Sequence, residues 1–369
     1  MSPVPVNRPP LPALARVAWP PGAESPSVET AAALARAAEM LAAGRLVAIP
    51  TETVYGLAAN ALDEDAVAAI FRAKGRPEGN PLIVHVADVG MARGLATDWP
   101  EAVQRATAAC WPGPLTVVVR KAAAVPDIVT AGGPTVALRC PALELTRRLI
   151  ALAGCPLAAP SANRSEAVSP TTAPHVLEGL GNRVELILDA GACEHGLEST
   201  VLDCTCQPPQ ILRPGPLTAA VLAEAIGGPV LDPEAQTAAR ADGAGQGGGR
   251  PEPRRSPGQS HRHYAPRTPL EVSAAAGKRV AELLAAGNRV GWLSLRPEDE
   301  AVRRLAAAAE LLVVPMPPEP AAYGRMLYAT LHALDHRQLD RLVVDAVPAE
   351  PAWAAVRDRL ARAASPSPA

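Results

Sequence analysis

Apolar and polar residues follow two different periods along this chain, and these predict helices and strands in turn. A helical period runs through residues 27–41, with Ser27 before an Ala- and Leu-rich stretch and Gly44 after it. A hydroxyl residue at the start and a glycine past the end are typical of a helix. Short apolar runs predict strands at residues 46–51, 81–86, 115–120, 135–140, 156–162, 184–188, 199–202 and 209–212.

Helical patterns separate several of these strands. They lie at residues 64–73, 100–109, 143–152 and 173–180, and another follows at 218–226. Mixed strands and helices of this kind predict a mixed α/β domain over residues 27–228. Residues 1–26 carry proline every few positions and no hydrophobic period, so we expect a disordered or loosely draped arm there.

The composition changes after Leu231. The following stretch is rich in glycine, proline and charge, and it predicts a linker over residues 229–268. Within it, residues 243–248 match the dinucleotide-binding pattern G-x-G-x-x-G. No predicted strand precedes this match and no helix follows it, so we interpret it as linker.

A regular alternation returns in residues 269–365. Helices are predicted at 274–286, 298–308, 321–334 and 352–363, and strands at 289–295, 311–315 and 342–346. This alternation predicts a small parallel sheet flanked by helices, a Rossmann-like α/β domain. It carries no glycine-rich phosphate loop, so we assign it no nucleotide site.

Charge and cysteine usage narrow the class of protein. Lys plus Arg is 35 and Asp plus Glu is 37, and the aromatic residues are five Trp, four Tyr and one Phe. Both features argue against wholesale RNA binding by charge or stacking. The six cysteines form no C-x-x-C pair, which disfavours zinc ribbons and suits a reducing cytoplasm. We recognise neither a secretory signal nor an apolar run long enough for a membrane span.

Two threonines and a tyrosine follow the first predicted strand of this domain at alternate positions. Side chains alternate across a strand, so Thr51, Thr53 and Tyr55 would share one face if the strand continues that far. Buried hydroxyls require hydrogen-bond partners. The pattern is compatible with binding of a small polar substrate, or with a satisfied edge strand that turns at Gly56.

Three cations, Arg72, Lys74 and Arg76, cluster where a predicted helix ends and a loop leads into the strand at 81–86. Cations at a helix C-terminus complement the helix dipole, and three cations also suit a polyphosphate. Loops at strand ends are where α/β proteins bind ligands. The residues alone leave both interpretations open.

Other candidates are an arginine and several hydroxyls at strand ends. Arg139 lies in an apolar strand, so it is either bound to an anion or paired with an internal carboxylate. Ser161, Ser199 and Arg213 lie near the ends of predicted strands, where a structural role remains the simpler interpretation of each. The sequence contains no Walker A, G-x-S-x-G or H-E-x-x-H pattern, so ATP chemistry here would need a cleft of cations and hydroxyls.

Taken in order, these segments resemble the threonylcarbamoyl-AMP synthase family, whose catalytic module is the YrdC-like domain. The matching pieces are PTETVYGLAANA, FRAKGRPEGNPLIVHV, WPGPLTVVV, VALRCP, APSANRSEAVSPT, LESTVLD and ILRPGP. The later SPGQSHRHYAP and GRMLYATLHALDHRQLDRLVVDAVP resemble the linker and C-terminal domain of the family's long form. The glycine-rich linker, the Gln-Ser-His run within it and the segment before the last helix depart from the pattern.

The resemblance implies an enzyme that joins L-threonine, bicarbonate or CO2, and ATP into threonylcarbamoyl-AMP and pyrophosphate for tRNA modification. The implied threonine contacts are Thr51, His85, Arg139, Ala159 and Ser199. The implied ATP contacts are Lys74, Arg76, Thr135, Ser161, Asn163, Ser169, Arg213 and Tyr264.

The resemblance also implies Mg2+ bound with ATP, and a product that passes to a tRNA-modifying threonylcarbamoyl transferase machinery. We expect a cytoplasmic location, no membrane association and no stable nucleic-acid complex. An RNA-binding module and a carbamoyl-transfer maturation factor of the same domain type are the alternatives. The second would carry cysteine-rich zinc modules, which the sequence lacks.

We also expect residues 256–266 to act as a lid over the site, the alternative being that Tyr264 only anchors the C-terminal domain.

Overall fold

The first domain is built on one mixed sheet. The computed structural model describes residues 12–18, 25–77, 79–232, 262–305 and 308–365. The strands of the first domain are β1 (Ala13–Arg16), β2 (Val47–Ile49), β3 (Gly56–Asn60), β4 (Ile83–His85), β5 (Leu115–Arg120), β6 (Thr135–Arg139), β7 (Leu157–Ala158), β8 (Leu186–Asp189), β9 (Thr200–Asp203) and β10 (Gln210–Arg213). Their order in the sheet is β1-β8-β2-β3-β7-β4-β6-β5-β9-β10.

Helices cover both faces of this sheet. They are α1 (Val28–Ala42), α2 (Glu64–Lys74), α3 (Val89–Arg93), α4 (Glu101–Cys110), α5 (Asp127–Thr130), α6 (Glu144–Ala153), α7 (Ala173–Leu180) and α8 (Ala219–Ile226). In β2, Val47 and Ile49 pack with α1 and α6, whereas Ala48 faces a separate core that includes α2 and α4. Because both faces are buried, most strands read as continuous apolar runs. The predicted mixed α/β domain is confirmed.

Local signals fix the ends of the helices near the site. Ser27 caps α1 by accepting a hydrogen bond from the Thr30 amide at 3.2 Å, as its position predicted. Asp63 caps α2 in the same way, and Gly75 ends that helix in the left-handed conformation with φ of 61°. Gly75 thereby turns the chain after Lys74 toward the strand β4.

The prediction of a disordered arm over residues 1–26 is wrong for Ala13–Arg16. These residues form β1, which pairs in parallel with β8. Amide-to-carbonyl bonds of 2.9 Å from Ala13 to Glu185 and from Val17 to Asp189 extend the pairing, and the Val17 side chain is buried. The ladder satisfies the backbone of a short segment that has little apolar pattern of its own. Residues 1–11 and 19–24 lie outside the described residues.

The second domain has a parallel sheet, as the sequence predicted. Its strands are β11 (Leu270–Ser273), β12 (Val290–Ser294), β13 (Leu311–Pro315) and β14 (Arg341–Asp345), in the order β11-β14-β12-β13. Its helices are α9 (Ala276–Ala285), α10 (Glu300–Leu305), α11 (Pro320–Asp335) and α12 (Ala354–Ala363). The strands β3 and β11 were not predicted. In the described part of the chain, no helix is both long and apolar enough to cross a membrane.

An apolar cluster joins the two domains. Val54, Val168 and Leu197 of the first domain pack in one buried group with Tyr264 and with residues of the second domain, including Leu327 on α11. Residues 233–261 lie outside the described part, so most of the predicted linker, including the first half of the proposed lid segment, is not characterised. The rest of that segment, residues 262–266, lies between the domains.

Candidate active site

A cavity lies in the first domain at the carboxyl ends of the neighbouring strands β4 and β6. These strands are parallel neighbours, and their last residues, His85 and Arg139, are register partners. Loops from several other strands and two residues of the interdomain segment complete the wall. The wall consists of Thr51, Val54, Gly56, Arg76, Ile83, His85, Arg139, Ala159, Pro160, Ser161, Glu198, Ser199, Arg213, His263 and Tyr264.

Nine of the thirteen site residues that the resemblance implies line this cavity. They are Thr51, Arg76, His85, Arg139, Ala159, Ser161, Ser199, Arg213 and Tyr264. These residues come from separate loops and strand ends, so the fold brings together what the sequence spaced over more than 200 positions. Lys74, Thr135, Asn163 and Ser169 are not part of this wall.

Lys74 supports the loop that presents Ser161. Its side chain is buried, and its Nζ donates to the carbonyl oxygens of Ser161 at 2.5 Å and Asn163 at 2.6 Å, and to Asn163 Oδ1 at 3.3 Å. Asn163 Nδ2 in turn donates to the Ala167 carbonyl at 2.7 Å. Burial lowers the pKa of the Lys74 ammonium, and the charge of Arg76 acts in the same direction. In this structure, Lys74 and Asn163 therefore shape the cavity through the chain that they hold.

Thr135 and Ser169 lie behind the cavity. Thr135 begins β6 and Arg139 ends it, which separates them by about 13 Å at about 3.3 Å per residue. Ser169 is buried, and its hydroxyl donates to Glu198 Oε1 at 2.6 Å. Ser169 thus acts on the wall through Glu198.

The three hydroxyl residues after β2 do not share a strand face, because the condition that the strand continues to them is not met. The strand ends before Thr51, whose hydroxyl donates to the Val54 carbonyl at 2.6 Å and accepts the amides of Thr53 and Val54. A threonine side chain that bonds nearby backbone in this way favours a turn over a strand. Tyr55 donates instead to the Gly191 carbonyl at 2.7 Å, away from Thr51.

Arg139 has an internal carboxylate partner, which was one of the two alternatives. Its Nη2 donates to Glu52 Oε1 at 2.6 Å, and both side chains are buried. Burial raises the pKa of the Glu52 carboxyl, but the charge and hydrogen bond of Arg139 outweigh it and lower the pKa overall. Among the described residues, Arg139 Nε and Glu52 Oε2 have no hydrogen-bond partner. The guanidinium therefore keeps one donor for a further group at the cavity.

Two neutral histidines face the cavity. Burial lowers the pKa of His85 to about 3, and the charge of Arg139 adds to this. Burial also lowers the pKa of His263 to about 3. In both rings, Nδ1 has no partner within the described ranges. Buried polar atoms are normally hydrogen-bonded, so each of these nitrogens can still form a hydrogen bond with a bound group.

Stability should fall as the pH drops below the ordinary histidine pKa of about 6.5. An unfolded histidine then binds a proton that His85 and His263 reject in the folded state, because their folded pKa values are lowered. Between pH 7.5 and 5.5, each should subtract about 1.4 kcal/mol from the free energy of unfolding. Urea unfolding at both pH values checks this. His85→Asn and His263→Asn should each remove one histidine's contribution to the pH dependence of the free energy of unfolding. Unchanged stability across this range would contradict the buried neutral state.

Arg213 and Ser199 form another part of the cavity wall. Arg213 Nη2 donates to the Ser199 carbonyl at 2.9 Å and to its hydroxyl at 3.2 Å, and that hydroxyl also bonds Thr116 Oγ1 at 2.7 Å. Burial lowers the pKa of Arg213, but an arginine begins far above neutrality. Arg213 is therefore a fixed cation whose position depends on Ser199.

Two acidic residues of the site, Glu52 and Glu198, were not predicted from the sequence, although each stands beside a residue that was. A signal for Glu52 existed, since a buried arginine requires a carboxylate and PTETVYG supplies one nearby in the fold. For Glu198 the sequence offered only a carboxylate next to Ser199 in GLESTV.

Each of the two domains matches a known protein family. Residues 39–215 match a family model described as "Telomere recombination", and residues 218–365 match one described as "Threonylcarbamoyl-AMP synthase, C-terminal domain". The chain is 39% identical to the threonylcarbamoyl-AMP synthase of Pyrococcus abyssi over 337 residues, covering 89% of this chain and 92% of the relative. It is 38% identical to the enzyme of that name from Bacillus subtilis, covering 90% and 92%.

A solved structure agrees with both domains at once. The crystal structure of P. abyssi Sua5 complexed with L-threonine superposes with a TM-score of 0.80 at 35% identity, covering 95% of this chain and 97% of that one. The match includes the catalytic domain, the small parallel-sheet domain and their arrangement. The chain therefore belongs to the threonylcarbamoyl-AMP synthase family, in the form that carries a C-terminal domain.

Proposed function

We propose that this protein makes threonylcarbamoyl-AMP and pyrophosphate from L-threonine, bicarbonate or CO2, and ATP. The observation that carries the proposal is a cavity that combines fixed cations, hydroxyls and unpartnered buried polar atoms. Arg213 supplies a cation, Ser161 and Ser199 supply hydroxyls, and His85 and His263 supply nitrogens without partners among the described residues. Family membership adds support, since the relatives carry this name.

The reaction requires positioning more than a protein nucleophile. The threonine nitrogen attacks the carbon of CO2, a C–N bond forms, and the amine loses a proton to give a carbamate. A carbamate oxygen then attacks the α-phosphorus of ATP, and the bond to the β-phosphate oxygen breaks as pyrophosphate leaves. Such a step is accelerated by holding the partners in line, by neutralising phosphate charge and by excluding water.

The cavity walls suggest a division of the two substrates. We assign threonine to the side of Thr51, His85, Arg139, Ala159 and Ser199, where the free Nε of Arg139 suits a carboxylate. ATP is assigned to a second set of residues. Arg76, Ser161, Arg213 and Tyr264 would contact it, while Lys74, Asn163 and Ser169 would act through the chain that they support. Among the described residues, Thr135 makes no contact that explains a role.

Mg2+ would accompany ATP. Magnesium in nucleotide sites is held mainly by phosphates and water, with few protein oxygens, and it neutralises phosphate charge. The hydroxyl oxygens of Ser161 and Ser199 at the cavity are of this kind. Glu198 on the cavity wall is engaged by Arg359, and Glu52, which lies behind Arg139, is engaged by that arginine.

We also propose that the interdomain segment acts as a lid on the ATP side. Tyr264 lines the cavity, has φ of 61°, and packs 5.8 Å from the ring of Tyr328 in the second domain. A non-glycine residue at such a φ is strained and persists only when its surroundings hold it. Tyr264 thus contacts both the cavity and the second domain, so the lid and the anchor hypotheses both remain.

Removing the Tyr264 side chain separates these hypotheses. If the segment is a lid, Tyr264→Ala should slow product formation and weaken ATP binding, because water enters the site. ATP should also protect the segment from limited proteolysis in the parent protein. Tyr323→Ala, a change to another buried tyrosine that lies outside the cavity wall, controls for loss of packing. Equal ATP affinity in the parent and in Tyr264→Ala would mean that Tyr264 only anchors the C-terminal domain.

Pyrophosphate release tests the proposed function. Release from ATP should require threonine and bicarbonate together, since the carbamate forms from both before the phosphorus is attacked. The comparison is made with each substrate omitted in turn. Equal release without threonine would reject the assignment.

We further propose a cytoplasmic enzyme whose product passes to a tRNA-modifying transferase machinery, with no stable nucleic-acid complex.

A further inference from the structure

Both domains hold the carboxylate of Glu198, a residue on the cavity wall. From the first domain, the Ser169 hydroxyl donates to Oε1 at 2.6 Å. From the second domain, Arg359 Nε donates to Oε2 at 2.8 Å and the Tyr328 hydroxyl donates to the same atom at 3.1 Å. The carboxylate belongs to the first domain by sequence, but the arginine that pairs with it comes from the second domain.

Buried contacts hold Arg359 in place beside Glu198. It lies on α12, is 0% exposed, and also pairs with its neighbour Asp358 at 2.6 Å. Its guanidinium stands 5.1 Å from the ring centre of Tyr264. A buried arginine is costly unless it is paired, so these contacts favour one docked position of the helix. Burial raises the pKa of Glu198, but the charges of Arg359 and Arg213 outweigh it and lower the pKa to about 2.

The backbone around Glu198 is closely packed by the second domain. We call residues 194–199 the Glu198 loop. Gly196 in this loop has φ of 72°, and a Cβ there would lie 2.7 Å from the Cα and carbonyl oxygen of Arg325 on α11. Arg325 Nε donates to the Glu194 carbonyl at 2.6 Å. A shift of the Glu198 loop toward α11 would therefore meet the backbone of that helix.

The other side of the same loop carries the substrate-facing groups. Ser199 follows Glu198 directly, and its carbonyl and hydroxyl fix the Arg213 guanidinium. A Cβ on Gly215 would lie 2.6 Å from the Ser199 carbonyl carbon and 2.8 Å from the backbone carbonyl oxygen of Glu198. The segment is therefore enclosed on both sides, and a displacement of Glu198 must move Ser199 and Arg213.

We propose that Arg359 and Tyr328 of the second domain are positioning residues for the reaction, acting through Glu198 on Ser199 and Arg213. The second domain is then part of the active site and not an appended module. The inference rests on the proposed function, because it assigns Arg213 and the cavity to ATP. Arg359 also neutralises a carboxylate that would otherwise oppose the phosphates of ATP.

Replacing Arg359 by methionine should raise the KM for ATP more than it lowers kcat. An unpaired buried carboxylate would draw Arg213 toward itself and repel phosphate, so we expect a rise in KM and in the ATP Kd of about 10- to 100-fold. Adding Glu198→Gln should bring both constants back to within about threefold of the parent. The uncharged amide can accept from the Ser169 hydroxyl through its oxygen and donate to the Tyr328 hydroxyl oxygen through its nitrogen.

The matched control is Arg357→Met on the same helix, whose side chain donates to the carbonyls of Pro348 and Glu350 in its own domain. All variants are assayed well below their unfolding midpoints, with ATP binding measured by calorimetry and turnover by pyrophosphate release. An unchanged ATP Kd in folded Arg359→Met, or a double variant no better than the single one, would overturn the inference. A parent protein that binds ATP but releases no threonine-dependent pyrophosphate would instead reject the proposed function.

Discussion

Arg139→Met should destabilise the protein by about 3–5 kcal/mol, because it leaves the buried Glu52 carboxylate without its cation. The pair is enclosed, at 4% and 3% side-chain exposure, so water cannot take over the lost contact. Urea unfolding measures the loss directly. At temperatures where the variant is folded, the requirement for threonine should also rise more than the requirement for ATP.

A second change distinguishes an unpaired charge from lost packing. Arg139→Met combined with Glu52→Gln should recover a large part of the stability, because replacing both members of a buried pair avoids the isolated charge. The control is Arg148→Met, which breaks an exposed pair with Glu144 and should cost at most about 1 kcal/mol. A double variant as unstable as the single one would show that the ion pair is not the cause.

Lys74→Met should reduce ATP turnover about 10- to 150-fold through the loop that Lys74 holds. Three hydrogen bonds to Ser161 and Asn163 disappear, and two buried carbonyls lose a charged donor, at about 1–3 kcal/mol each. The variant should therefore lose stability as well as activity, unlike a lysine that contacts only phosphate. Steady-state kinetics and thermal unfolding test both effects.

Lys278→Met provides the control, since Lys278 is exposed in the second domain. It should match the parent in both measurements. Parent-like ATP kinetics in Lys74→Met would contradict the supporting role and the nucleotide-side assignment together. Reduced turnover with unchanged stability would instead indicate that Lys74 leaves the loop and contacts ATP directly.

Elements with strong local patterns were predictable. The strand at 115–120 and the helix at 173–180 have the predicted bounds, since each has a clear apolar period and turn residues beside it. The strand β3 is composed of Gly, Leu, Ala and Asn and carries no such signal, although the sheet buries it. The strand β1 depends on pairing with β8, which is about 170 residues later and invisible to a local pattern.

The site likewise has parts that the sequence predicted and parts that depend on tertiary packing. Cations and hydroxyls at strand ends pointed to a cleft, and nine of the implied residues do line one. Their roles with threonine and ATP stay predictions. The contacts of Lys74 with Asn163, and of Glu198 with Arg359, join residues 89 and 161 positions apart. Each is determined by tertiary packing, so no spacing in the sequence could indicate that these side chains support the cavity.

The measurement that bears most directly on the proposed function is mass spectrometry of the product formed from ATP, L-threonine and carbon-13 bicarbonate. We expect an adenylate that contains the threonine and one labelled carbon, formed together with pyrophosphate. Omitting threonine should abolish both products. An adenylate that lacks either the threonine or the label, or release of ADP and phosphate in place of pyrophosphate, would contradict it.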